Sequence, residues 1–396
     1  MTNFPNSTVL NSLEEREQFL CLVLTHVDHL NCESIVNIYK NLGSDKLFAL
    51  CKHNKIESIA AEALIRCLGK ENVENIWLDA YAHTYKKIHS FMSELERIGD
   101  IFSKNDIKLV PLKNSGITLS LYPHYGSCPM GDLDVLVNYE DFDKAHDLLI
   151  SEGYKLKFRS SLESNDIKEA KKSGGAEYFI KLNGEYDLWF ELQWRSVAGR
   201  WIREGQEPKA DFLINNSVRY KNTGLYTLCP EHNLIQVCLH TAKHSYIRAP
   251  GFRLNTDVDR IVRNSEIDWI NFQNLVEELE IRTACFFSLF FAKELLKTPI
   301  PENIIIKNYP GKWKFKLILN WLVRLNLFDP DGKKWSKIGF IFFVALLYDS
   351  PKGIFLSVFP SFEWMKKKYN IKSKSLLPYY YIVRLLDLSF KRSLNK

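Results

Sequence analysis

The residues best suited to chemistry in this 396-residue chain lie between positions 108 and 137. An apolar run, Leu109-Val110-Pro111-Leu112, leads into Lys113-Asn114-Ser115-Gly116, and Met130-Gly131-Asp132-Leu133-Asp134-Val135-Leu136-Val137 follows. Side chains two apart on a strand project from one face, so Asp132 and Asp134 form a carboxylate pair while Leu133, Val135 and Val137 face a core. Such a pair can hold one or two Mg²⁺ (or Mn²⁺) ions over a triphosphate. Lys113 adds a full positive charge where the first strand ends, and Ser115 and Gly116 let backbone amides approach a phosphate at the positive end of a helix. The competing reading of that stretch is a plain strand-to-helix turn capped by Ser115.

Phosphoryl chemistry consists largely of positioning and charge neutralisation, so a third fixed carboxylate is expected. In the run 186–194 the alternate residues Asp187, Trp189, Glu191 and Gln193 share one strand face. If that strand neighbours the first, Glu191 or Asp187 becomes the third ligand. A further group comprises His240, Lys243 and His244, followed by Arg253, Asp257, Asp259 and Arg260. The two histidines are one helical turn apart, a spacing that can bind zinc, but Thr241 stands where a zinc protease carries Glu and no third ligand is evident. Contact with phosphate or with the acids of the preceding domain is the expected role, and a buried core histidine is the alternative for either residue.

These residues need a strand scaffold, and the sequence supplies one. From about residue 11 to 107 the apolar residues recur at three and four, as in Ile59, Ala60, Leu64 and Ile65, which predicts a bundle of helices. The segment 75–102, with Trp77, Tyr81, Tyr85, Ile88, Phe91 and Leu95 at helical spacing, is expected to pack onto the following domain. Between 108 and 226 short strands are predicted at 108–112, 132–137, 153–158, 178–182 and 186–194, with helices at 116–122 and 139–152. Asn183-Gly184 between two alternating runs signals a hairpin. Helices return from 230 to 296, and from Trp313 onward the chain reads as helical, aromatic and basic. The expected division is 1–92 helical, 93–226 mixed α/β, 227–300 helical and closing over the cleft, and 301–396 helical. The runs 286–291 and 340–347 read as core.

Composition is that of a globular protein able to bury a substantial core, with 46% hydrophobic and 25% charged residues. The net charge of +6 reads as a mild basic excess spread along the chain, which suits phosphate-bearing ligands without calling for nucleic acid. Eight cysteines without a C-x-x-C pair read as reduced, mostly buried thiols of a cytoplasmic protein. No secretory signal is visible in Met1-Thr2-Asn3-Phe4-Pro5-Asn6-Ser7. The longest apolar run, 338–348, has about 11 residues against the roughly 20 of a spanning helix. A peripheral membrane contact through Lys366, Lys367 and Lys368 is a secondary reading.

Several pieces occur in an order and spacing that resembles a bacterial family of uncharacterised nucleotidyltransferase-like proteins. They are Leu112-Lys113-Asn114-Ser115-Gly116-Ile117, Leu121-Tyr122-Pro123, Pro129-Met130-Gly131-Asp132-Leu133-Asp134-Val135-Leu136-Val137, Leu149 to Gly153-Tyr154, Glu191-Leu192-Gln193-Trp194, His240 to His244 and Ile267-Asp268-Trp269. The similarity covers roughly residues 90 to 300, and Pro360-Ser361-Phe362-Glu363-Trp364-Met365 with Tyr369 resembles the tail of some members. It implies an α+β nucleotidyltransferase core of the polymerase-beta type, a small mixed sheet with flanking N-terminal and C-terminal helical domains. It also implies metal ligation by Asp132, Asp134 and Glu191, phosphate contact by Lys113, Ser115 and Gly116, and a cleft lined by His240, His244 and Asp257. The chain departs from the family pattern at Asn114, Cys128 and Gln193, where Gly, Arg and His are usual.

The expected function is a Mg²⁺-dependent transferase moving a nucleoside monophosphate from an NTP to an acceptor hydroxyl or phosphate, in a biosynthetic or tailoring pathway. The nucleotide contacts would come from Lys113, Ser115, Gly116, His240, Lys243, His244, Arg253 and Asp257. Two alternatives stand beside it. One is sugar transfer from a nucleotide sugar to a peptide, phosphorylated or not, such as a lasso peptide; the other is a catalytically silent module that binds a nucleotide or partner. The acceptor classes expected for a transferase are a small molecule, a glycan or a peptide.

Overall fold

A computed structural model describes residues 13–394 except 123, 160–165, 198–201 and 332–334. Pro123 and residues 1–12 therefore lie outside the described residues, as does the side chain of Lys367.

Four short helices open the chain: α1 (Glu15–Leu24), α2 (Cys32–Leu42), α3 (Ser44–His53) and α4 (Glu57–Leu68). Their starts and stops are written locally. The Asn31 side chain accepts from the Ser34 N–H to begin α2, and Gly43, at φ 83°, ends it. The apolar spacing of α4 buries Ile59, Ala60, Ala63 and Leu64 as one stripe. One expectation is corrected here: Cys32, at the start of α2, and Cys67, near the end of α4, form a disulfide. Packing of α2 along α4 brings together two thiols 35 residues apart, which spacing in sequence does not reveal. The other six cysteines are free, and all but Cys229 are buried. The reduced-thiol argument for a cytoplasmic location falls with this bond.

Helix α5 (Asn75–Lys104) runs unbroken across the boundary expected at residue 92, and buries Trp77, Ile88, Phe91, Leu95, Ile98 and Phe102 along one side. It leads to β1 (Val110–Leu112), α6 (Lys113–Ser120), β2 (Asp132–Leu136), α7 (Phe142–Ser151), β3 (Lys155–Leu156), α8 (Ile167–Ser173), β4 (Gly175–Leu182) and β5 (Tyr186–Gln193). The five strands form one mixed sheet in the order β1-β2-β5-β4-β3, in which only β2 and β5 run parallel. Asn183 and Gly184 turn β4 into β5 with φ of 51° and 71°, the positive values that Asn and Gly tolerate best. Helix α9 (Ala210–Asn215) and a two-stranded ribbon, β6 (Val218–Arg219) with β7 (Tyr226–Thr227), close this part.

Helices α10 (Pro230–Lys243), α11 (Asn255–Asn264), α12 (Trp269–Glu278), α13 (Arg282–Leu296) and α14 (Glu302–Asn308) follow. The chain continues through α15 (Lys312–Arg324), α16 (Lys337–Leu347), α17 (Pro351–Val358), α18 (Phe362–Tyr369) and α19 (Leu377–Leu394). One large core joins the N-terminal helices to those after residue 230, with Phe19, Leu64, Leu239, Phe287 and Phe343 among its members. A second core joins the sheet to α5 and α7, through Phe91, Leu133, Val135, Phe142 and Phe190. The mixed α/β sheet with flanking helices is thus the architecture expected, but the first and third helical segments share one interior.

Residues 286–291 are core as expected. The run 340–347 is only half so: Phe343, Val344 and Leu347 are buried while Ile341 and Phe342 face outward, because α16 packs on one side alone.

Candidate active site

The parallel pairing of β2 with β5 sets the register of the site. Asp134 lies opposite Glu191, and Asp132 opposite Trp189. On the other edge of β5, Glu191 lies opposite Glu177 of β4. Register partners share a sheet face, so Asp134, Glu191 and Glu177 form a row of carboxylates across three adjacent strands, with Asp132 two residues upstream of its end. Like charges facing one another across strands are destabilising, and a row of this kind needs cations and donors around it.

Three side chains supply them. Lys113, 5% exposed, places its ammonium 2.5 Å from Asp134 Oδ1 and 3.9 Å from Glu191 Oε2. Its backbone is left-handed, with φ 51° at the first residue of α6, an unusual conformation for a residue with a side chain. That twist follows directly from β1 running into a helix without a linker, and it turns the Lys113 ammonium onto the carboxylates. The Gln193 amide donates to Asp134 Oδ1 at 2.8 Å and to Glu191 Oε2 at 2.9 Å, and so ties two acids together. The Arg159 guanidinium bridges Asp132, at 2.6 Å, and Glu191, and reaches Glu177 at 3.3 Å. Burial, and then the neighbouring Asp134 charge, push the Asp132 carboxyl above its ordinary range, while Arg159 and Lys113 pull it back.

Ser115 and Gly116 sit behind the carboxylates and not in the cleft. The fully buried Ser115 hydroxyl accepts from the Asp134 N–H at 2.9 Å, which fixes β2 at its key residue. A Cβ on Gly116 would stand 2.5 Å from the Pro111 carbonyl oxygen, so glycine lets α6 fold back tightly on β1. Both residues thus support the acids from within the fold. Asp187, the other candidate for third ligand, sits toward the far end of β5, exposed and near Lys181.

The surrounding helices bring further basic side chains. Lys243 Nζ makes one long hydrogen bond, 3.2 Å to the Val197 carbonyl, and burial followed by the charge of Lys113 lowers its pKa to about 8. His240 is held well below its ordinary pKa by burial, then by His244, Lys113 and Lys243, and its Nδ1 is buried without a partner. The His244 ring lies 4.8 Å from that of His240, and its Nδ1 faces the Ala249 carbonyl at 2.7 Å. Arg253 donates to the Pro129 carbonyl through Nη1, while its Nε is buried and unpartnered. Lys87, from α5, also faces Asp132, whose charge opposes the lowering of its pKa by burial. Gln193 Oε1 and Asn114 Oδ1 are likewise buried without partners.

Asp257 is placed more deeply than expected. It is 3% exposed, accepts from the Tyr122 hydroxyl at 3.3 Å, and burial raises its pKa to about 7 despite Arg253 and Arg260. With Asn114, Tyr122, Cys128, Pro129 and Arg253 it lines a small cavity behind the acids. Asp259 and Arg260 are structural: they pair at 2.6 Å, and Arg260 also donates to the Leu24 carbonyl, fastening α11 to α1.

Arg159, Glu177 and Lys87 went unnoticed in the sequence. Glu177 alternates with the buried Ala176 and Tyr178 in a strand that reads as ordinary, and only its register against Glu191 marks it. Among the described residues no three His, Cys, Asp or Glu side chains already converge as a ready metal cage. The carboxylates are turned instead to Lys113 and Arg159. Their chemistry nonetheless fits a divalent ion, since among the described residues four acids, Asp132, Asp134, Glu177 and Glu191, form ion pairs with two cations, Lys113 and Arg159.

No curated protein and no solved structure matches the chain. The model of a family described as an uncharacterised nucleotidyltransferase matches residues 40–297, from within α2 to just past α13. The match begins well before residue 90, consistent with the N-terminal helices sharing a core with α10 to α13. The acid-bearing sheet and its helical surround lie within that span, and the chain belongs to this uncharacterised nucleotidyltransferase family.

Proposed function

We propose that the chain is a divalent-metal-dependent transferase that moves a nucleoside monophosphate from an NTP to an acceptor hydroxyl or phosphate. Membership of the family supports a transferase in general terms. The observation that carries the finer reading is the charge arrangement: four carboxylates, Asp132, Asp134, Glu177 and Glu191, paired with Lys113 and Arg159, and around them a basic ring of Lys87, Lys243, His240 and Arg253. A metal complex of a triphosphate is complementary to both parts, its cation to the acids and its phosphates to the ring.

Asp132, Asp134 and Glu191 would hold Mg²⁺ or Mn²⁺, with Glu177 adding charge behind Glu191. When bound, the ion would neutralise phosphate oxygens and acidify an attacking hydroxyl. Lys113 and Gln193 fix the Asp134 and Glu191 carboxylates in place. Glu191, with one oxygen toward Gln193 and the other toward Arg159, is positioned to take the acceptor proton once Arg159 moves aside. Lys243, with its lowered pKa and single long hydrogen bond, is free to bind a phosphate and regain full protonation there.

Incubation of the purified protein with each NTP, Mg²⁺ and candidate acceptors tests the reading by pyrophosphate release and product mass. Asp132→Asn and Asp134→Asn are expected to abolish turnover with an unchanged circular dichroism spectrum. Nucleotide sugars run in parallel would yield sugar-bearing products if the donor were of that class. Tight nucleotide binding without turnover in any arm would identify a silent binding module and end the catalytic reading.

A further inference from the structure

The C-terminal helices carry a surface that the site does not use. Residues 301–396 contain eighteen Lys and Arg against six Asp and Glu, whereas residues 1–300 contain thirty-five against forty-one. The basic excess is therefore gathered at one end of the chain and not spread along it, and the remainder is acidic. The same segment exposes large apolar side chains at helical spacing. On α16 these are Ile338, Ile341 and Phe342, on α17 Ile354 and Phe355, and on α19 Tyr379, Ile382, Leu385 and Leu386. Ile338 is 68% exposed, Phe342 62% and Ile382 59%, and the opposite side of α16 is packed through Phe343, Val344 and Leu347.

Helices α17 and α19 are fastened to each other. Arg384 donates to the Ser357 and Val358 carbonyls at 2.7 and 3.0 Å and lies over the Trp364 ring, while the Tyr381 hydroxyl donates to the Pro360 carbonyl at 2.7 Å. The positive charge of Arg384 is thus engaged inward, and the outward stripe of α19 from Tyr379 to Leu386 is left apolar. Exposed lysines stand on the adjoining turns: Lys352 at the start of α17, Lys366 and Lys368 on α18, and Lys372 and Lys374 before α19. No described helix is long and apolar enough to cross a membrane. Short helices with an apolar face and flanking lysines bind at the headgroup boundary instead. Two copies meeting face to face would bring two strongly basic segments together, which opposes self-association.

We propose that α16, α17 and α19 seat this end of the protein on an anionic lipid surface, the apolar stripes entering the headgroup boundary and the lysines facing lipid phosphates. None of the active-site residues takes part, so the proposal stands or falls separately from the transferase reading.

Co-sedimentation of the full chain with phosphatidylcholine vesicles, with and without phosphatidylglycerol, tests it. The expected result is a partition coefficient more than roughly tenfold higher on the anionic vesicles, declining as NaCl is raised. Ile382→Asp with Leu386→Asp, and separately Lys366→Glu with Lys372→Glu and Lys374→Glu, should each reduce it by about tenfold or more while leaving the thermal melt in place. The lysine variant alters only exposed positions and keeps the test decisive if the apolar variant fails to fold. Equal partition on neutral and anionic vesicles, no partition on either, or lysine-independent binding overturns the proposal. So does a lipid-free dimer in sedimentation equilibrium that Ile382→Asp with Leu386→Asp breaks, since a second copy would then be the occupant.

Discussion

Asp134 of β2 and Glu191 of β5 are direct register partners across the one parallel pair of the sheet, and a single amide, that of Gln193, donates to both at 2.8 and 2.9 Å. Two of the three acids that the proposed reaction needs are thereby held side by side. Gln193→Leu removes both donors and leaves the carboxylates to repel. At roughly 1.5–3 kcal/mol for each of the two hydrogen bonds to a charged group, a loss of about 3–6 kcal/mol is expected in urea unfolding, and an unchanged midpoint would show that the amide is not what holds the pair.

Lys113 and Asp134 are both buried, at 5% and 6% exposure. Removing one partner of a buried ion pair leaves the other uncompensated, so Lys113→Met should destabilise the protein by about 3–5 kcal/mol. Under the metal reading, Mn²⁺ should raise the melting temperature of this variant by more than that of the parent, because the ion replaces the missing charge. Calorimetry with and without Mn²⁺ measures both quantities, and an equal metal-induced rise in the two proteins argues against metal at Asp134.

Arg159 occupies the position between Asp132 and Glu191 that the proposed ion would take. It therefore competes with the ion, and Arg159→Ala is expected to tighten Mn²⁺ binding by roughly tenfold, about 1.4 kcal/mol, in isothermal titration. Weaker binding in the variant would make Arg159 a support of the site and not its competitor.

Asp257 carries a pH signature whose sign is fixed by its surroundings. Burial raises its carboxyl from 3.8 to about 7, so between those values the folded state binds a proton that the unfolded state does not. This group accordingly contributes stability at low pH that is lost as pH rises through about 7. Asp257→Asn cannot titrate, so the difference in urea midpoint between parent and variant should shift in favour of the variant from pH 5 to pH 8. A pH-independent difference would contradict the buried, Tyr122-bonded placement.

The Cys32–Cys67 bond closes a 35-residue separation in the N-terminal helices. Chain-entropy arguments assign about 3–4 kcal/mol to a loop of that size. Dithiothreitol, or Cys32→Ser, should lower stability by that order in guanidinium unfolding. Thiol labelling of the unfolded, unreduced chain should mark six cysteines and not eight.

The sequence by itself determined the local matters. Period-two alternation placed Asp132 and Asp134 on the face opposite Leu133, Val135 and Val137, helical periodicity found α5, and unbroken apolar content found the core run of α13. The hairpin at Asn183-Gly184 was legible because positive φ is a property of those residue types. Each of these is set by neighbours within a few positions. The tertiary structure decided which strands lie beside each other. Parallel pairing of β2 with β5 put Glu191, and not Asp187, beside Asp134, and antiparallel pairing with β4 added Glu177 to the row. Arg159 arrived from the end of β3, Lys87 from α5, and Cys67 met Cys32 through helix packing. Exposure of α16 and α19 could not be read from apolar content either, since a helix rich in Ile and Phe is core or surface according to what packs on it. These outcomes depend on contacts between residues far apart in the chain, whose register and partners no local pattern encodes.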